Sequence, residues 1–504
     1  MDSQIRRLAV GLLVLLVILL FGVNYVQVFA ADSIADNPAN AYRQFVAESE
    51  VDRGRILAND AQTPLAISRE TNGEFTYQRR YPRGELYAHL TGYYSLFFGR
   101  TELEGSFNEY LSGDAPELLP QTLGDFIQGN PKRGASIVTT LDPDLQELAM
   151  DIVGGMRNGG AIVMMEPDTG NVLVSAANPT FDPNALSTQD SEAAEKAITA
   201  LNDDPAKPLL SRASDELYPP GSVFKIVTAA AALENGYTPS SRIRNPLDLT
   251  LPQTTETLEN FGGSHCLGGA SEITLAQAFQ ISCNVSFGTL GLELGPRKLG
   301  RQAQAFGFCL WNPPGSCLTD TVPFDIPYTA GRYPDTEYFV DNEPLVAFSG
   351  IGQADVATNP MSMAMVASAV ANDGVLMRPR LVSEVRDPQG RAIERFEPDE
   401  AGVAVSPETA QDLTDMMVSV VEPGGTGTAA AISGVSVAGK TGTAQTREGA
   451  FPHAWFVSFA PAEDPQVAVA VIVLNGGDLG NEATGGAISA PIAKQMIEAA
   501  LEGG

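Results

Sequence analysis

The stretch LYPPGSVFKIVTAAAAL, residues 217–233, places one hydroxyl and one amine three positions apart. If a helix begins near Gly221, this spacing puts the side chains of Ser222 and Lys225 on the same helix face. The positive end of a helix dipole stabilises a serine alkoxide, and burial among apolar side chains can turn a lysine into a base. The stretch therefore predicts a nucleophilic serine activated by a neutral lysine. A capping serine beside a solvated lysine is the structural alternative, but the flanking Val, Phe and Ile residues leave little polar face for it.

A second motif, Ser282-Cys283-Asn284, lies between this serine and the third motif. Ser-x-Asn also occurs at Ser106-Phe107-Asn108, and the later copy is favoured by its position in the chain. The structural alternative for the later copy is a helix C-terminus with a capping asparagine. The surrounding stretch ITLAQAFQISCNVSFGTLGLEL has the apolar spacing of a helix. The residues at that spacing are Leu275, Ala278, Phe279 and Ser282.

The third motif, Lys440-Thr441-Gly442-Thr443, overlaps a match to the nucleotide-binding P-loop, GVSVAGKT at residues 434–441. A P-loop needs a strand before it and a helix after it. Here the interior Val-Ser-Val-Ala itself alternates like a strand, and TGTAQTREGAFP lacks helical periodicity. We therefore interpret residues 435–444 as an edge strand that could add an extended peptide to its sheet.

In such a strand Thr441 and Thr443 share one face, where their hydroxyls could hold a carboxylate. Lys440 would supply positive charge to the cleft. Gly442, which has no side chain, would let the nucleophile helix approach the strand.

The chain has 504 residues, of which 31 are basic and 61 acidic, for a net charge of −30. This charge argues against nucleic acid or anionic lipid as a binding surface, because phosphate neutralisation needs clustered Lys and Arg. Only 7 residues are lysines, so each lysine in an apolar stretch needs a chemical reason. The length and the 44 % hydrophobic content predict two or three globular domains.

The N-terminus predicts a membrane anchor. Arg6 and Arg7 precede an uncharged, mainly apolar run at residues 8–31. A helix of about 20 residues crosses a bilayer, and flanking arginines place the N-terminus in the cytoplasm. The alternative is a cleaved signal peptide with Val28 and Ala30 at its cleavage site. Both interpretations place the remaining chain outside the cytoplasm.

An extracytoplasmic compartment permits disulfides, and four cysteines allow two bridges in three possible connectivities. We favour Cys309–Cys317, which would close the loop CLWNPPGSC, together with Cys266–Cys283, which would tie a glycine-rich loop to the Ser-x-Asn motif. A zinc site is disfavoured, because His265 beside Cys266 has no second ligand cluster to complete it. We expect neither a metal nor another cofactor.

The segments around the motifs predict an α/β fold. Residues 136–149 change from β-branched alternation to a helix that begins near Pro143, and residues 159–179 form two strands around a turn. Residues 359–375 predict another helix. Three strand-like runs and a last helix, at about 487–501, close the chain. The first and last strands of this region should share one antiparallel sheet.

The order Ser-x-x-Lys, Ser-x-Asn and Lys-Thr-Gly is the signature of serine β-lactamases and penicillin-binding proteins. The stretches SGIGQADVATNPMSMAMVASAVANDG, GTGTAA and HAWFVSFAPAEDPQVAVAVIVLNGG resemble the transpeptidase domain of class B penicillin-binding proteins. RGRIL, LEGSFNEYL and VTTLDPDLQ resemble the N-terminal domain and linker of that class. The Asp-Arg pair that commonly follows the first of these is absent, with Ala58 and Asn59 nearby instead.

This resemblance implies the penicillin-binding transpeptidase fold, in which helices flank an antiparallel sheet and an all-helical subdomain adjoins it. It also implies a small N-terminal α+β domain and one transmembrane helix. The expected divisions are a cytoplasmic tail at 1–7, an anchor at 8–30, a non-catalytic dimerisation or pedestal-like domain at 32–135 and a transpeptidase domain at 136–504.

The resemblance further implies a D,D-transpeptidase that cross-links the stem peptides of peptidoglycan and is acylated by β-lactams. Ser222 would attack the peptide with neutral Lys225 as its base, and the amides of Ser222 and Thr443 would form the oxyanion hole. The other implied site residues are Ser282 and a charged Lys440 for protonating the leaving group, Asn284 for holding the peptide backbone, and Thr441, Gly442 and Thr443 for binding the substrate. Expected partners are stem peptides and lipid-linked precursors, β-lactams, divisome or elongation proteins and the membrane, but not nucleic acid.

Other members of the superfamily fit less well. A class A β-lactamase needs a Glu-x-x-Leu-Asn stretch after its serine, whereas Leu201-Asn202 precedes Ser222 and has Ile198 at the Glu position. About 100 residues cannot hold the glycosyltransferase domain of a bifunctional enzyme. A penicillin-sensing receptor would carry further membrane segments, and a non-enzymatic divisome scaffold would have little reason to keep all three motifs.

Overall fold

The structure is a computed structural model that describes residues 2–26, 30, 50–73, 75–119, 124, 131–313, 315, 317–445 and 449–503. Its first helix is Asp2–Asn24, and the part Gln4–Asn24 is long and apolar enough to cross a membrane, with a mean hydropathy of 2.4 and none of it buried. This helix is a candidate membrane anchor. Residues 27–29 of the expected anchor, with Val28 of the alternative cleavage site, lie outside the described residues.

A six-stranded sheet combines the N-terminal segment with two later parts of the chain. Its strand order is Ala392–Arg395, Val382–Arg386, Ser136–Thr139, Ile56–Leu57, Pro64–Glu70 and Tyr77–Arg80. The pair Ile56–Leu57 and Ser136–Thr139 is parallel, and the other neighbours are antiparallel. This sheet therefore links the strands at residues 56–80, through Ser136–Thr139, to the strands at residues 382–395.

A buried cluster of charges joins the N-terminal stretches RGRIL, which contains Arg53, and LEGSFNEYL, which contains Glu104. The fully buried Glu104 accepts hydrogen bonds from Arg53 Nε at 2.7 Å and from Arg79 Nε at 2.5 Å. Burial raises the pKa of Glu104, but the charges of Arg79 and Arg53 outweigh it, and the pKa lies below its ordinary value. Arg53 Nη1 also donates to Asn108 Oδ1 at 2.8 Å. The earlier Ser-x-Asn copy thus belongs to this cluster, which lies in the N-terminal part of the fold.

The central sheet has five antiparallel strands in the order Ala438–Ala444, His453–Ala460, Val467–Val473, Gly160–Met165 and Val172–Asn178. The pairing of Gly160–Met165 with Val467–Val473 confirms that the first and last strands of this region share one antiparallel sheet. The strand that carries Lys-Thr-Gly lies at the edge, as predicted.

Two hydrophobic cores cover the two faces of this sheet, because neighbouring side chains of a strand point in opposite directions. Ile162 and Met164 belong to a core shared with the helices Pro143–Gly154 and Ala490–Gly503. Ala161, Val163 and Met165 belong to the larger core on the opposite face. The helix predicted near Pro143 is confirmed, and the Asp142 carboxylate caps it by accepting the N–H groups of its first turn.

Among the described residues, the α-helices after the N-terminal one are Ala88–Thr91, Glu102–Ser106, Asn108–Ser112, Pro143–Gly154, Ser191–Asp203, Lys225–Leu233, Leu275–Gln280, Asn284–Leu294, Pro296–Ala305, Glu343–Ser349, Pro360–Ala371, Pro407–Val421 and Ala490–Gly503. The helical part of the catalytic region also contains short two-stranded ribbons, a feature that the expected all-helical subdomain lacked. The paired strands across the chain are Tyr94–Ser95 with Gly99–Arg100, Arg242–Arg244 with Glu272–Thr274, Asp248–Thr250 with Thr257–Glu259, Cys309–Trp311 with Arg332–Pro334, and Val375–Met377 with Glu400–Val403.

Candidate active site

The first predicted motif forms a tight turn that leads into a buried helix. Gly221–Phe224 is a 3-10 turn, and the helix Lys225–Leu233 follows it directly. Gly221 has a φ of +54°, and a Cβ there would lie 2.7 Å from the carbonyl oxygen of Thr443. Glycine therefore allows this turn to lie directly against the edge strand. The turn leaves Ser222 partly exposed at a cleft and Lys225 fully buried beneath it.

The second motif is not part of one continuous helix, and the prediction that placed Ser282 on a helix face is wrong. The helix Leu275–Gln280 ends before the motif, Ser282 has a φ of +58°, and a new helix begins at Asn284. The apolar periodicity continues across this break, so it could not reveal a left-handed residue. The change of direction brings Ser282 and Asn284 to the buried amine of Lys225.

The amine of Lys225 makes two short hydrogen bonds, to the Ser282 carbonyl oxygen at 2.7 Å and to Asn284 Oδ1 at 2.8 Å. A neutral amine has two N–H groups and one lone pair, so these two acceptors leave the lone pair free. Ser282 Oγ lies farther away, at 3.4 Å. Within the described part of the chain, no hydrogen bond joins the Ser222 hydroxyl to this amine.

Lys440 reaches the same serine from the edge strand. Its amine donates to Ser282 Oγ at 2.8 Å and to the carbonyl oxygen of Thr441 at 3.0 Å, and the residue is fully buried. All three motifs therefore meet at the Ser282 hydroxyl.

Burial lowers the pKa of both lysines. The pKa of Lys225 lies well below its ordinary value because of burial and, second, because of the nearby charge of Lys440. Burial lowers the pKa of Lys440 to about 7. The expected neutral Lys225 agrees with this environment. A pKa of about 7 leaves Lys440 with part of the expected positive charge at neutral pH.

The third motif lies in the strand Ala438–Ala444, which pairs antiparallel with His453–Ala460. The P-loop interpretation fails here, because the residues after Lys440 continue a strand and do not begin a helix. A Cβ on Gly442 would lie 2.9 Å from Val223 Cγ1 and 3.1 Å from the carbonyl oxygen of Pro220. The nucleophile turn therefore packs on the strand at Gly442, where the absence of a side chain leaves room for it.

The cleft above these motifs has a volume of about 370 Å³. The predicted residues that line it are Ser222, Ser282, Asn284, Thr441, Gly442 and Thr443. Lys225 and Lys440 lie beneath its floor, fully buried.

Sequence reasoning assigned no role to several other residues of the cleft. Thr426 shares a hydrogen bond of 2.6 Å with Thr441 between their hydroxyls, and Thr484–Gly486, Gln353 and Asn260 also line the wall. A Cβ on Gly485 would lie 2.0 Å from the carbonyl oxygen of Trp455. Thr426 belongs to the GTGTAA stretch, and the resemblance of that stretch to class B proteins could have indicated Thr426 as a site residue.

Both expected disulfides are present. Cys266 and Cys283 are bonded, and so are Cys309 and Cys317. Because Cys283 lies between Ser282 and Asn284, the first bridge attaches a glycine-rich loop directly to the second motif.

The match to known families agrees with this geometry. Residues 160–498 match the penicillin binding protein transpeptidase domain, and residues 53–137 match the penicillin binding protein A dimerisation domain. The chain belongs to the penicillin-binding protein transpeptidase family.

Relatives of this family align with the whole chain. The peptidoglycan D,D-transpeptidase PbpA of Mycolicibacterium smegmatis is 42 % identical over 513 residues, and PbpA of Mycobacterium tuberculosis is 39 % identical over 515 residues. Each alignment covers 100 % of both proteins. The short N-terminal domain likewise resembles penicillin-binding protein A of actinobacteria, as expected from the sequence.

The fold is also that of solved penicillin-binding proteins. The ceftriaxone acyl-enzyme complex of penicillin-binding protein A from M. tuberculosis has a TM-score of 0.81 and 38 % identity, and covers 90 % of this chain and 100 % of that one. The penicillin G acyl-enzyme complex of the same protein has a TM-score of 0.78 at 38 % identity, with the same coverage.

Proposed function

We propose that this penicillin-binding protein is a peptidoglycan D,D-transpeptidase with Ser222 as its nucleophile. The observation that supports this most directly is the environment of Lys225. Its buried amine lies one turn after Ser222, and both of its N–H groups are engaged by Ser282 and Asn284 when the amine is neutral. A buried lysine whose lone pair is free can accept the proton of a serine hydroxyl.

In the proposed first step, Lys225 takes the proton of Ser222 while Ser222 Oγ attacks the carbonyl of the penultimate D-alanine. The Ser222–Lys225 hydrogen bond forms when substrate is bound, since such contacts are often long in free enzymes. The amides of Ser222 and Thr443 stabilise the oxyanion. The peptide C–N bond then breaks, and the terminal D-alanine leaves with the hydroxyl proton of Ser282. Ser282 takes up in return the proton held by Lys225, whose amine lies 3.4 Å from Ser282 Oγ, while Lys440 contacts the same oxygen at 2.8 Å.

The terminal carboxylate of the donor peptide would bind at the threonine end of the cleft. Thr441 and Thr443 lie on the cleft side of the edge strand, and Thr426 supplies another hydroxyl 2.6 Å from that of Thr441. Asn284 would hold the peptide backbone from the opposite wall. An amine of a second stem peptide then attacks the Ser222 ester and forms the cross-link. A β-lactam takes the first step and stalls before the second.

The chain would act at the cell membrane as a single-pass protein. The apolar helix Gln4–Asn24 supports an anchor at residues 8–30, with a cytoplasmic tail at 1–7. The non-catalytic domain at 32–135 would hold the transpeptidase domain at 136–504 outside the membrane, where divisome or elongation proteins could meet it. Protease added to intact spheroplasts should digest the chain after residue 32 and spare the anchor. A mature N-terminus at Ala31 would instead show cleavage.

Intact-protein mass spectrometry after incubation with penicillin G tests the catalytic assignment. One adduct is expected, and it should map to the tryptic peptide that contains Ser222. Ser222→Ala should form no adduct, whereas Ser106→Ala, in the N-terminal copy of Ser-x-Asn, should react like the wild type. An adduct on another serine, or a reactive Ser222→Ala protein, would refute the assignment. An assay for the transfer of a stem peptide to an amine acceptor distinguishes an active transpeptidase from a scaffold protein that only binds penicillin.

A further inference from the structure

The helix that carries Asn284 begins without a cap from its own chain neighbour. The residue before it, Cys283, makes no side-chain cap hydrogen bond, and its sulfur is bonded to Cys266. The first N–H groups of a helix have no partner within the helix and need an acceptor from elsewhere. Asn260 supplies that acceptor. Its Oδ1 atom receives the backbone N–H of Asn284 at 2.9 Å and that of Val285 at 3.1 Å.

Asn260 is itself held in place. Its side chain is buried, with 7 % of the residue exposed, and its Nδ2 atom donates to the carbonyl oxygen of Ser264 at 3.0 Å. The strand Thr257–Glu259 ends immediately before it and is paired with Asp248–Thr250. The cap therefore comes from a segment that is fixed at both ends and lines the cleft.

The same segment also orients the Asn284 side chain. Asn284 Nδ2 donates to the carbonyl oxygen of Glu259 at 3.3 Å, which directs its Oδ1 atom towards Lys225, 2.8 Å away. The backbone and side chain of Asn284 are thus both held by two consecutive residues, Glu259 and Asn260. These contacts determine which atom of the carboxamide faces the proposed base.

We propose that Asn260 is a positioning residue for the acylation step, acting through the N-terminus of the helix Asn284–Leu294. Its role is to keep Ser282 and Asn284 at the distances from Lys225 that engage both N–H groups of the neutral amine. This inference rests on the proposed assignment of Ser222 and Lys225. It assigns to Asn260 no contact with the reacting atoms.

Three variants test the proposal, with the rate constant for acylation by a fluorescent penicillin and the melting temperature measured for each. Asn260→Ala should acylate more slowly by roughly five- to tenfold, the size of one lost helix cap. Asn260→Asp should recover most of the rate, because a carboxylate oxygen accepts both N–H groups and suits a helix N-terminus. A role limited to general stability would lower the rate equally in Asn260→Ala and in an equally destabilised control variant of the same region.

Asn245→Ala is the matched control. Asn245 is also a buried carboxamide, and its Nδ2 atom donates to the carbonyl oxygens of Cys266 and Ala270 in the same loop. Its replacement removes these two loop hydrogen bonds and the long contact of Ser286 Oγ with Asn245 Oδ1 at 3.5 Å, but leaves the N–H groups of Asn284 and Val285 capped. The melting temperature should fall as for Asn260→Ala, while the acylation rate stays within about twofold of the wild type, because the acceptor for the N–H groups of Asn284 and Val285 is unchanged.

Several outcomes would overturn the proposal: wild-type acylation by Asn260→Ala, equal rate losses in Asn260→Ala and Asn245→Ala, or a folded Asn260→Asp protein as slow as Asn260→Ala. If the alanine variant does not fold, Asn260→Ser takes its place, since its short hydroxyl cannot reach both N–H groups. Its rate should then lie below that of Asn260→Asp. A wild-type adduct away from Ser222 would refute the catalytic assignment, whichever way the Asn260 variants behave.

Discussion

The amines of Lys225 and Lys440 both point at the hydroxyl of Ser282, at 3.4 Å and 2.8 Å. Both residues are fully buried, and the charge of Lys440 further lowers the pKa of Lys225. Two charged amines at this site would raise the free energy of the folded protein, because like charges repel each other and burial removes their solvation. The arrangement separates two roles, since the charge of Lys440 lowers the pKa of Lys225 and favours the neutral form of that amine.

The first prediction concerns the base. Lys225→Arg keeps a positive charge but cannot accept a proton, because a guanidinium group stays protonated in proteins. Acylation by a fluorescent penicillin should fall by about 10²- to 10⁴-fold, the typical contribution of a general base. Lys440→Arg should keep part of its activity, since its positive charge is retained. Circular dichroism must show a folded Lys225→Arg protein, and normal labelling of that protein would exclude Lys225 as the base.

The pH dependence of acylation should be bell-shaped. As pH falls through the lowered pKa of Lys225, the base becomes protonated and the rate falls. As pH rises through about 7, Lys440 loses its proton and with it the positive charge beside Ser282. Lys440→Arg should therefore lose the alkaline fall, because arginine does not titrate in this range.

Lys440→Met provides the complementary test of the same profile. Removal of the charge that lowers the pKa of Lys225 should move the acid-side midpoint to higher pH. An acid-side midpoint that is identical in the wild type and in Lys440→Met would show that the two lysines are not electrostatically coupled.

The disulfide at the second motif should matter for activity in a way that the other does not. The double variant Cys266→Ser with Cys283→Ser releases the glycine-rich loop from the turn between Ser282 and Asn284. Its acylation rate should fall on the order of tenfold, because a 1 Å displacement near a reacting group costs up to about 10²-fold. The double variant Cys309→Ser with Cys317→Ser is the control. It opens a short loop, closed by two cysteines with a sequence separation of 8, whose described residues do not line the cleft. Equal rates for the two double variants would contradict the prediction.

Gly442 should be needed for the contact between strand and nucleophile turn. In Gly442→Ala the new Cβ would lie 2.9 Å from Val223 and 3.0 Å from Trp455 Cβ, so the turn must move. Acylation should fall by about 10²-fold, as expected for a nucleophile displaced by about 1 Å.

Gly439→Ala, in the same strand, is the comparison for that variant. Its Cβ would meet the Phe456 ring at 2.5 Å and no atom of the nucleophile turn is among its nearest neighbours. It should lose stability, by about 1–3 kcal/mol for overpacking, but react faster than Gly442→Ala. Thermal denaturation and acylation rates measured on both proteins distinguish displacement of the nucleophile from general destabilisation.

The sequence was most informative where chemistry and local pattern coincide. Ser222 and Lys225 were found because polar residues in an apolar stretch are conspicuous, and Lys440 was found through its Lys-Thr-Gly motif. The edge strand was found from its alternation. The break at Ser282 was missed because hydrophobic periodicity reports burial and carries no information on φ. Asn260 and Thr426 were missed because their partners, Asn284 and Thr441, become neighbours only in the folded chain.

The lowered pKa of Lys440 was missed for a related reason. Its expected charge followed from its place in the Lys-Thr-Gly motif beside the cleft. Burial of this residue comes from distant parts of the chain, including Phe279, whose ring centre lies 5.5 Å from the amine. Tertiary packing, which local sequence does not encode, sets its proton affinity.

The strand order of the two sheets has a consequence for how the protein is made. Ser136–Thr139 takes Val382–Arg386 as its partner, and Gly160–Met165 pairs with Val467–Val473. One edge of each of these early strands therefore stays unpaired until Arg386 or Val473, respectively, has been synthesised. Such long-range pairing slows folding and exposes strands that can associate with other chains. A chain that ends before Val382 thus leaves both sheets incomplete, and one that ends between Arg395 and Val467 leaves only the central sheet of the two incomplete.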